Sequence, residues 1–223
     1  MDDSYRVREY EHKEDGCLVT FYGGEQLFFS YDEFYKYSLY DRDNPGRMSF
    51  TKLMEEVGKE RAFSAGLKEV LKSAKPSGEV VKILVRAGHE EEYAKEAAQR
   101  LSEEGYIDDL KYAMSFVRKK VFDKNLSKNF TLREAVELGI PEEKVSEAFC
   151  RMDISDRDSC ERAADKKMRE MVYFKEEDTD DKIALSKKDR NRLMSYLGSK
   201  GFSFDLINDI IREKLTPESD LYD

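Results

Sequence analysis

The chain has 223 residues with 39 basic and 48 acidic side chains, a formal net charge of −9, and hydrophobic and charged fractions of 39% each. An average domain carries about 25% charge, so one thick globular core is excluded and thin helical layers with much surface are favoured. The negative balance argues against a simple nucleic-acid binder. Cys17, Cys150 and Cys160 are too scattered for a disulfide framework or a zinc site. No run of about 18 apolar residues offers a membrane span, and the acidic start Met1-Asp2-Asp3 lacks the apolar stretch of a signal peptide. These features predict reduced thiols, no metal and a cytoplasmic chain.

The N-terminal residues 1–45 hold most of the strand signals. Residues 16–29 read as a hairpin around Gly23-Gly24, a pair suited to the two left-handed positions of a tight turn. Residues 5–10 can add a third strand. Ser30 and Glu33 stand at capping-box spacing and open a short helix to about Leu39. Residues 41–46, with Pro45-Gly46, read as a loop and a boundary. The composition changes abruptly there, and residues 1–45 are expected to be dispensable for folding of the helical remainder.

Helical spacing fills that remainder. Phe50, Leu53, Met54 and Val57 share a face on a linking helix, residues 46–59. Leu67, Val70, Leu71 and Ala74 share the next, and Lys75-Pro76-Ser77-Gly78 breaks the chain. Tyr93, Ala97 and Leu101 form a face ended by Gly105, with Tyr106 set to pack back on Leu101. Leu110, Ala113, Met114, Val117 and Val121 form another. Pro141 suits a first helical position. Cys160, Ala163, Ala164 and Met171 begin another helix, the acidic run 175–181 interrupts it, and Ser186 opens the next. Residues 216–223 read as a flexible acidic tail.

One pattern recurs. Gly88, Gly139 and Gly201 each come after an apolar helical face and precede another, with Ala94, Val145 and Ile207 six residues on. A glycine stop between helices at a period of about fifty to sixty residues marks a repeat array. The predicted fold is mainly α, with three tandem three-helix repeats in an elongated curved array. They span residues 60–105, 106–153 and 154–215, after a small N-terminal β-hairpin and short helix. Such arrays bind extended partners more often than they carry catalytic pockets.

Catalytic constellations are missing. His12 lies in a charged segment, and His89 comes after Gly88 where Ile140 and Phe202 stand in the other two occurrences, a packing position. Phosphate-loop, dinucleotide, nucleophile-elbow and zincin motifs are absent. The run 176–181 lacks the glycine and distal glutamate of a calcium loop. Asp108-Asp109 suits a helix start. Gly198-Ser199-Lys200-Gly201 is spaced like the phosphate clamp of a KH domain but lacks its flanking strands. No enzyme activity and no cofactor are expected. The notable charge feature is basic. Lys111, Arg118, Lys119, Lys120, Lys124, Lys128 and Arg133 crowd residues 106–133, and Arg162, Lys166, Lys167 and Arg169 form a second stretch. Solvated helix faces account for any single one of these charges.

The string from Gly105 to Lys120 is the most distinctive in the chain. Gly105, Tyr106, Asp108, Asp109, Tyr112, Ala113, Phe116 and Val117, then Arg118, Lys119 and Lys120, resemble the signature of the RecX family of RecA recombinase regulators. Residues 196–207 resemble that family's closing repeat. The resemblance covers about residues 60–215 and implies three tandem three-helix repeats. It also implies a non-enzymatic, monomeric protein of recombination control, DNA repair and the SOS response. Such a protein binds the RecA–DNA filament, with its single-stranded DNA, and suppresses its ATPase, strand-exchange and coprotease functions. On this reading Lys111, Arg118, Lys119, Lys120, Lys124, Arg162, Lys166, Lys167 and Arg169 are the candidates for contact with filament or DNA, and the signature residues are largely structural. Two rivals stand beside it: a helical-repeat DNA-binding module, and a protein-interaction adaptor with no recombinase link.

Overall fold

The computed structural model describes residues 5–42, 48–172 and 186–215. The chain divides into two units: residues 1–72 with 80–104, and residues 73–79 with 105–223. Residues 43–46 of the expected loop at 41–46, the acidic run 175–181 and the tail 216–223 lie outside the described residues.

In the first unit, β1 (Val7–Lys13), β2 (Gly16–Phe21) and β3 (Gln26–Ser30) form an antiparallel sheet in chain order, so the third strand is present. Alternation puts Cys17, Val19 and Phe21 of β2 on the buried face with Val7 and Phe29. At the β2–β3 turn only Gly24 is left-handed (φ +97°), not both glycines. The Phe21 amide donates to the Glu25 carbonyl across it at 2.9 Å.

The capping box is formed. Ser30 Oγ accepts from the Glu33 amide, and the Glu33 carboxylate accepts from the Ser30 amide at 2.8 Å. The helix it opens, α1 (Tyr31–Lys36), stops short of Leu39 because Tyr37 and the left-handed Ser38 end it.

Helix α2 runs unbroken from Phe50 to Lys72. The expected division between residues 59 and 60 therefore falls inside a helix, since no glycine stop or proline interrupts the register there. Its first half donates Leu53 and Val57 to one core with Tyr5, Phe21, Phe29, Phe34 and Leu39. Its second half buries Ala62, Gly66 and Val70, while Leu71, expected on the buried face, is 69% exposed. Each large side chain fully buried in such a core stabilises by about 1.5–3 kcal/mol, so sheet and α2 share a substantial part of their stability. Arg61 adds a polar tie, donating to both Glu33 oxygens at 2.7 and 2.9 Å and to the Phe28 carbonyl at 2.8 Å. The unit also holds α4 (Glu91–Glu103), which lies on α2, and residues 80–86 of α3 (Ser77–Arg86).

The second unit contains α5 (Asp109–Val117), a π-helical turn (Arg118–Asp123), α6 (Lys128–Leu138), α7 (Glu142–Arg151), α8 (Asp156–Val172), α9 (Lys187–Ser199) and α10 (Phe204–Lys214). One core gathers Ala113, Val117, Val121, Ala135, Ile140, Val145 and Phe149. Another gathers Cys160, Ala163, Met168, Leu193, Leu197, Ile207, Ile210 and Ile211. Pro141 is the N-cap of α7, one residue before its expected position. Gly88, Gly139 and Gly201 all take φ between +88° and +104° at helix ends, as the recurring pattern requires. Ile140 and Phe202 after two of them are buried, but His89 after the first is only half-buried.

Two glycines do more than stop a helix. The Gly78 amide, at the start of α3, donates to the Gly139 carbonyl at 3.0 Å, and a Cβ on Gly139 would stand 2.5 Å from the Glu79 nitrogen. In the second joint the amide of Ser127, the N-cap of α6, donates to the Lys200 carbonyl at 3.0 Å. A Cβ on Gly201 would stand 2.8 Å from that of Phe130. Each joint is reinforced by an aspartate opening another helix. Asp109 accepts from the Ser77 amide and hydroxyl at 2.8 and 2.6 Å, and Asp156 accepts from the Lys128 amide at 2.7 Å. These carboxylates sit at helix N-termini, where orphan amides and the dipole favour negative charge.

Candidate functional site

The signature string builds the site. Asp108 is the N-cap of α5, accepting from the Lys111 amide at 2.8 Å. Capping fixes where the helix starts and so which residues share each face. Ala113 and Val117 then face the core, and Tyr112 and Phe116 flank them half-buried. At Arg118 the α-helix gives way to the π-helical turn, which keeps Val121 buried and leaves Arg118 and Lys119 exposed. Arg118, Lys119 and Lys120 form the opening of this wider turn. Such π turns are uncommon and recur at functional positions.

An open groove of about 760 Å³ results. It is lined by Tyr106, Tyr112 and Phe116 and by five lysines, Lys75, Lys111, Lys119, Lys120 and Lys124, with Asp108 as the lone carboxylate. Tyr106 is 48% exposed here, and Ile107 is its buried neighbour. Burial, with Glu79 nearby, raises the Tyr112 phenol above its ordinary value, so it stays neutral as a donor or ring surface.

The lysines differ in availability. Lys120 is only 15% exposed, pairs with Glu134 at 2.7 Å and lies over the Phe116 ring. It is mainly a packing and pairing residue. Lys111, Lys119 and Lys124 are exposed. Arg118 lines a neighbouring hollow with Arg151 and Lys111. The second basic stretch lies on α8 and lines neither opening. There Arg162 covers the exposed Phe122 ring and donates to Ser159, Lys167 pairs with Glu170 and sits over Tyr196, Arg169 reaches the Asp165 carbonyl, and Lys166 is exposed.

The basic candidates therefore divide into a groove set and an α8 set. Lys75 was missed because in sequence it stands in a chain break, far from the other lysines of the groove, the nearest of which is Lys111. Arg151, at the end of α7, was missed because it stands apart from both basic stretches in sequence. No linear signal marks either residue.

The other chemistry stays structural. Burial pushes the Cys160 thiol up to about 12, and it raises the Cys17 thiol as well, so neither is a nucleophile at neutral pH. Cys150 is exposed. His12 is stacked among Tyr10, Tyr31 and Phe34. Among the described residues no cluster of three or more His, Cys, Asp or Glu is placed to hold a metal ion, and no helix is long and apolar enough to cross a membrane.

No protein-family model matches the chain. Curated relatives do. Regulatory protein RecX of Clostridium botulinum (strain Eklund 17B / Type B) is 28% identical over 160 residues, which is 71% of this chain and 70% of that protein. RecX of Clostridium perfringens (strain 13 / Type A) is 28% identical over 164 residues, 71% of this chain and 73% of that one. RecX of Mycobacterium sp. (strain KMS) is 24% identical over 160 residues, with 71% and 84% covered. Solved structures agree at the level of fold. A crystal structure of regulatory protein RecX superposes with a TM-score of 0.56 at 16% identity, over 93% of this chain and 99% of that one. RecX from Lactobacillus salivarius superposes at 0.54 with 21% identity, over 71% and 97%. The signature around α5, the mainly helical fold and these relatives converge: in sequence and in fold the chain is similar to regulatory proteins named RecX.

Proposed function

We propose that this chain is a non-enzymatic regulator of RecA that binds the RecA–DNA filament and restrains its ATPase, strand exchange and coprotease functions. Residues 60–105, 106–153 and 154–215 would act as three successive helical repeats along it. The observation that carries the reading is the groove. In a chain of net charge −9, five lysines and three aromatic rings converge on one opening built by the family signature. Lysines at this spacing suit phosphates or an acidic protein surface, and exposed rings suit bases, which stack on any aromatic face.

Many weak contacts along one filament add through effective concentration. A ligand that prefers one filament state shifts the filament toward it. The filament reading is favoured over a free DNA-binding module because the positive charge is local and the chain as a whole is acidic. The cytoplasm is the compartment this function requires.

The groove lysines suitable for reversal are Lys111, Lys119 and Lys124; Lys120 is excluded because reversal would set two partly buried carboxylates together at Glu134. The triple change to Glu should leave the helical signal and melting temperature nearly intact. It should abolish most of the effect on the ATPase of cognate RecA on single-stranded DNA. The slope of log affinity against log salt should flatten by about 0.7 per lost phosphate contact. Unchanged ATPase modulation by the folded variant would remove the groove from the interface. Tight, salt-sensitive binding of the wild type to bare DNA, without any effect on RecA, would favour the DNA-binding module.

A further inference from the structure

The joints at Gly139 and Gly201 share one construction. The first turn of one helix seats on the left-handed glycine that closes another, through an amide-to-carbonyl bond of 3.0 Å in each case. At Gly139 the seated residue is Gly78, and at Gly201 it is the segment from Ser127 to Phe130. Gly88 is the third glycine of the pattern. It has the same left-handed backbone (φ +95°), yet among the described residues nothing stands within 4 Å of where a Cβ would be. A groove of about 950 Å³ opens there, and Ala87, Gly88, His89 and Glu90 form one side of it. Phe50, Met54 and Tyr93 give it an apolar floor, and Glu55, Glu90 and Glu92 make its charge mainly acidic. It is a socket of the kind filled twice elsewhere in the chain.

The matching plug is also on the chain. Ser186 caps α9 as Ser127 caps α6, each accepting from the amide three residues on. The first two turns of α9 carry Lys187, Lys188, Arg190 and Arg192 against one acid, Asp189. Ser186, Lys187 and Lys188 are exposed. A helix start brings positive dipole as well as positive side chains, and both complement the glutamates at Gly88.

We infer that the Gly88 groove is a docking socket for the α9 N-terminus of a second copy of this chain. The Ser186 amide of one copy would approach the Ala87 carbonyl of the next, as the Ser127 amide approaches the Lys200 carbonyl within one copy. Plug and socket are different surfaces, so the contact is heterologous. Such association does not depend on RecA; on an extended partner it would make loading cooperative.

The test is a charge swap read by sedimentation velocity of the full chain at low salt. Wild type should gain weight-average mass as concentration rises, and added salt should reverse this. The socket variant Glu90→Lys/Glu92→Lys and the plug variant Lys187→Glu/Lys188→Glu should each associate on the order of tenfold more weakly or worse, since like charges then meet. Mixed in equal amounts, the two variants should regain association, because each reversed plug then meets a reversed socket of opposite sign. Glu90, Lys187 and Lys188 are exposed, and circular dichroism verifies that the variants fold. A wild type of constant monomer mass at every concentration would overturn the inference. So would variants that associate as the wild type does, or a mixture no heavier than its components.

Discussion

At the scale of single residues, backbone conformation and buried polar ties decide most outcomes. Gly139 must be glycine for two reasons, its φ of +104° and the approach of the Glu79 amide. Gly105 has only the first, since its φ is +81° and its Cβ side is open. Gly139→Ala should therefore cost more than Gly105→Ala, and Gly105→Val should cost more than about 1 kcal/mol while Gly105→Asn is milder. Urea midpoints of the variants measure the order, and equal losses at 139 and 105 would contradict the joint.

Glu33 gives a pH-dependent case. Burial alone would raise its carboxyl, but hydrogen bonds from Arg61 and Ser30 outweigh that and hold it below the ordinary 4.5. A carboxyl lowered in the folded state stabilises fully above its unfolded value, and loses this as pH falls through the folded one. Glu33→Gln should cost about 1 kcal/mol at pH 7. The gap in melting temperature from the wild type should close as pH drops below 4.5, and a gap that widened on acidification would reverse the sign assigned here.

At the scale of elements, the N-terminal sheet is the clearest departure from the sequence reading. Expected to be dispensable, it shares one core with Leu53 and Val57 of α2 and is tied to that helix through Arg61. Removing residues 1–47 would expose those side chains and free one Arg61 partner set. The truncated chain should melt several degrees earlier than the full one, with less cooperative loss of helix by circular dichroism. Identical melts would restore the sheet to an independent segment. The π-helical turn is the second departure. Its sequence, Arg118 to Asp123, has ordinary helical spacing. The wider turn goes with a short, tightly closed connection to α6, where Asn125 takes φ +50° and the Leu126 amide reaches the Lys120 carbonyl at 3.1 Å.

At the scale of the whole molecule, periodicity and glycine placement were legible in the sequence because they are local. A helix needs apolar groups at steps of three and four, a capped start and a left-handed stop, and each of these is written in neighbouring residues. That is why the helix stops at Gly88, Gly139 and Gly201 and the caps at Ser30, Asp108 and Ser186 are found where the sequence puts them. The RecX-like string was legible for the same reason, since it lies within one helix, its cap and the turn that follows. What the sequence could not supply is convergence. Lys75 joins Lys111, Lys119 and Lys124 only because the Ser77–Asp109 tie and the Gly78–Gly139 joint draw separate helix ends together. Lys120 is withdrawn from that set by Glu134, which stands on a different helix. The sequence by itself determined where helices start and stop and which faces are apolar, because these depend on dihedral preference and spacing. Only the tertiary structure decided which charges are shared, spent on neighbours or left facing solvent, because Coulomb and burial energies depend on distances that the chain order does not contain.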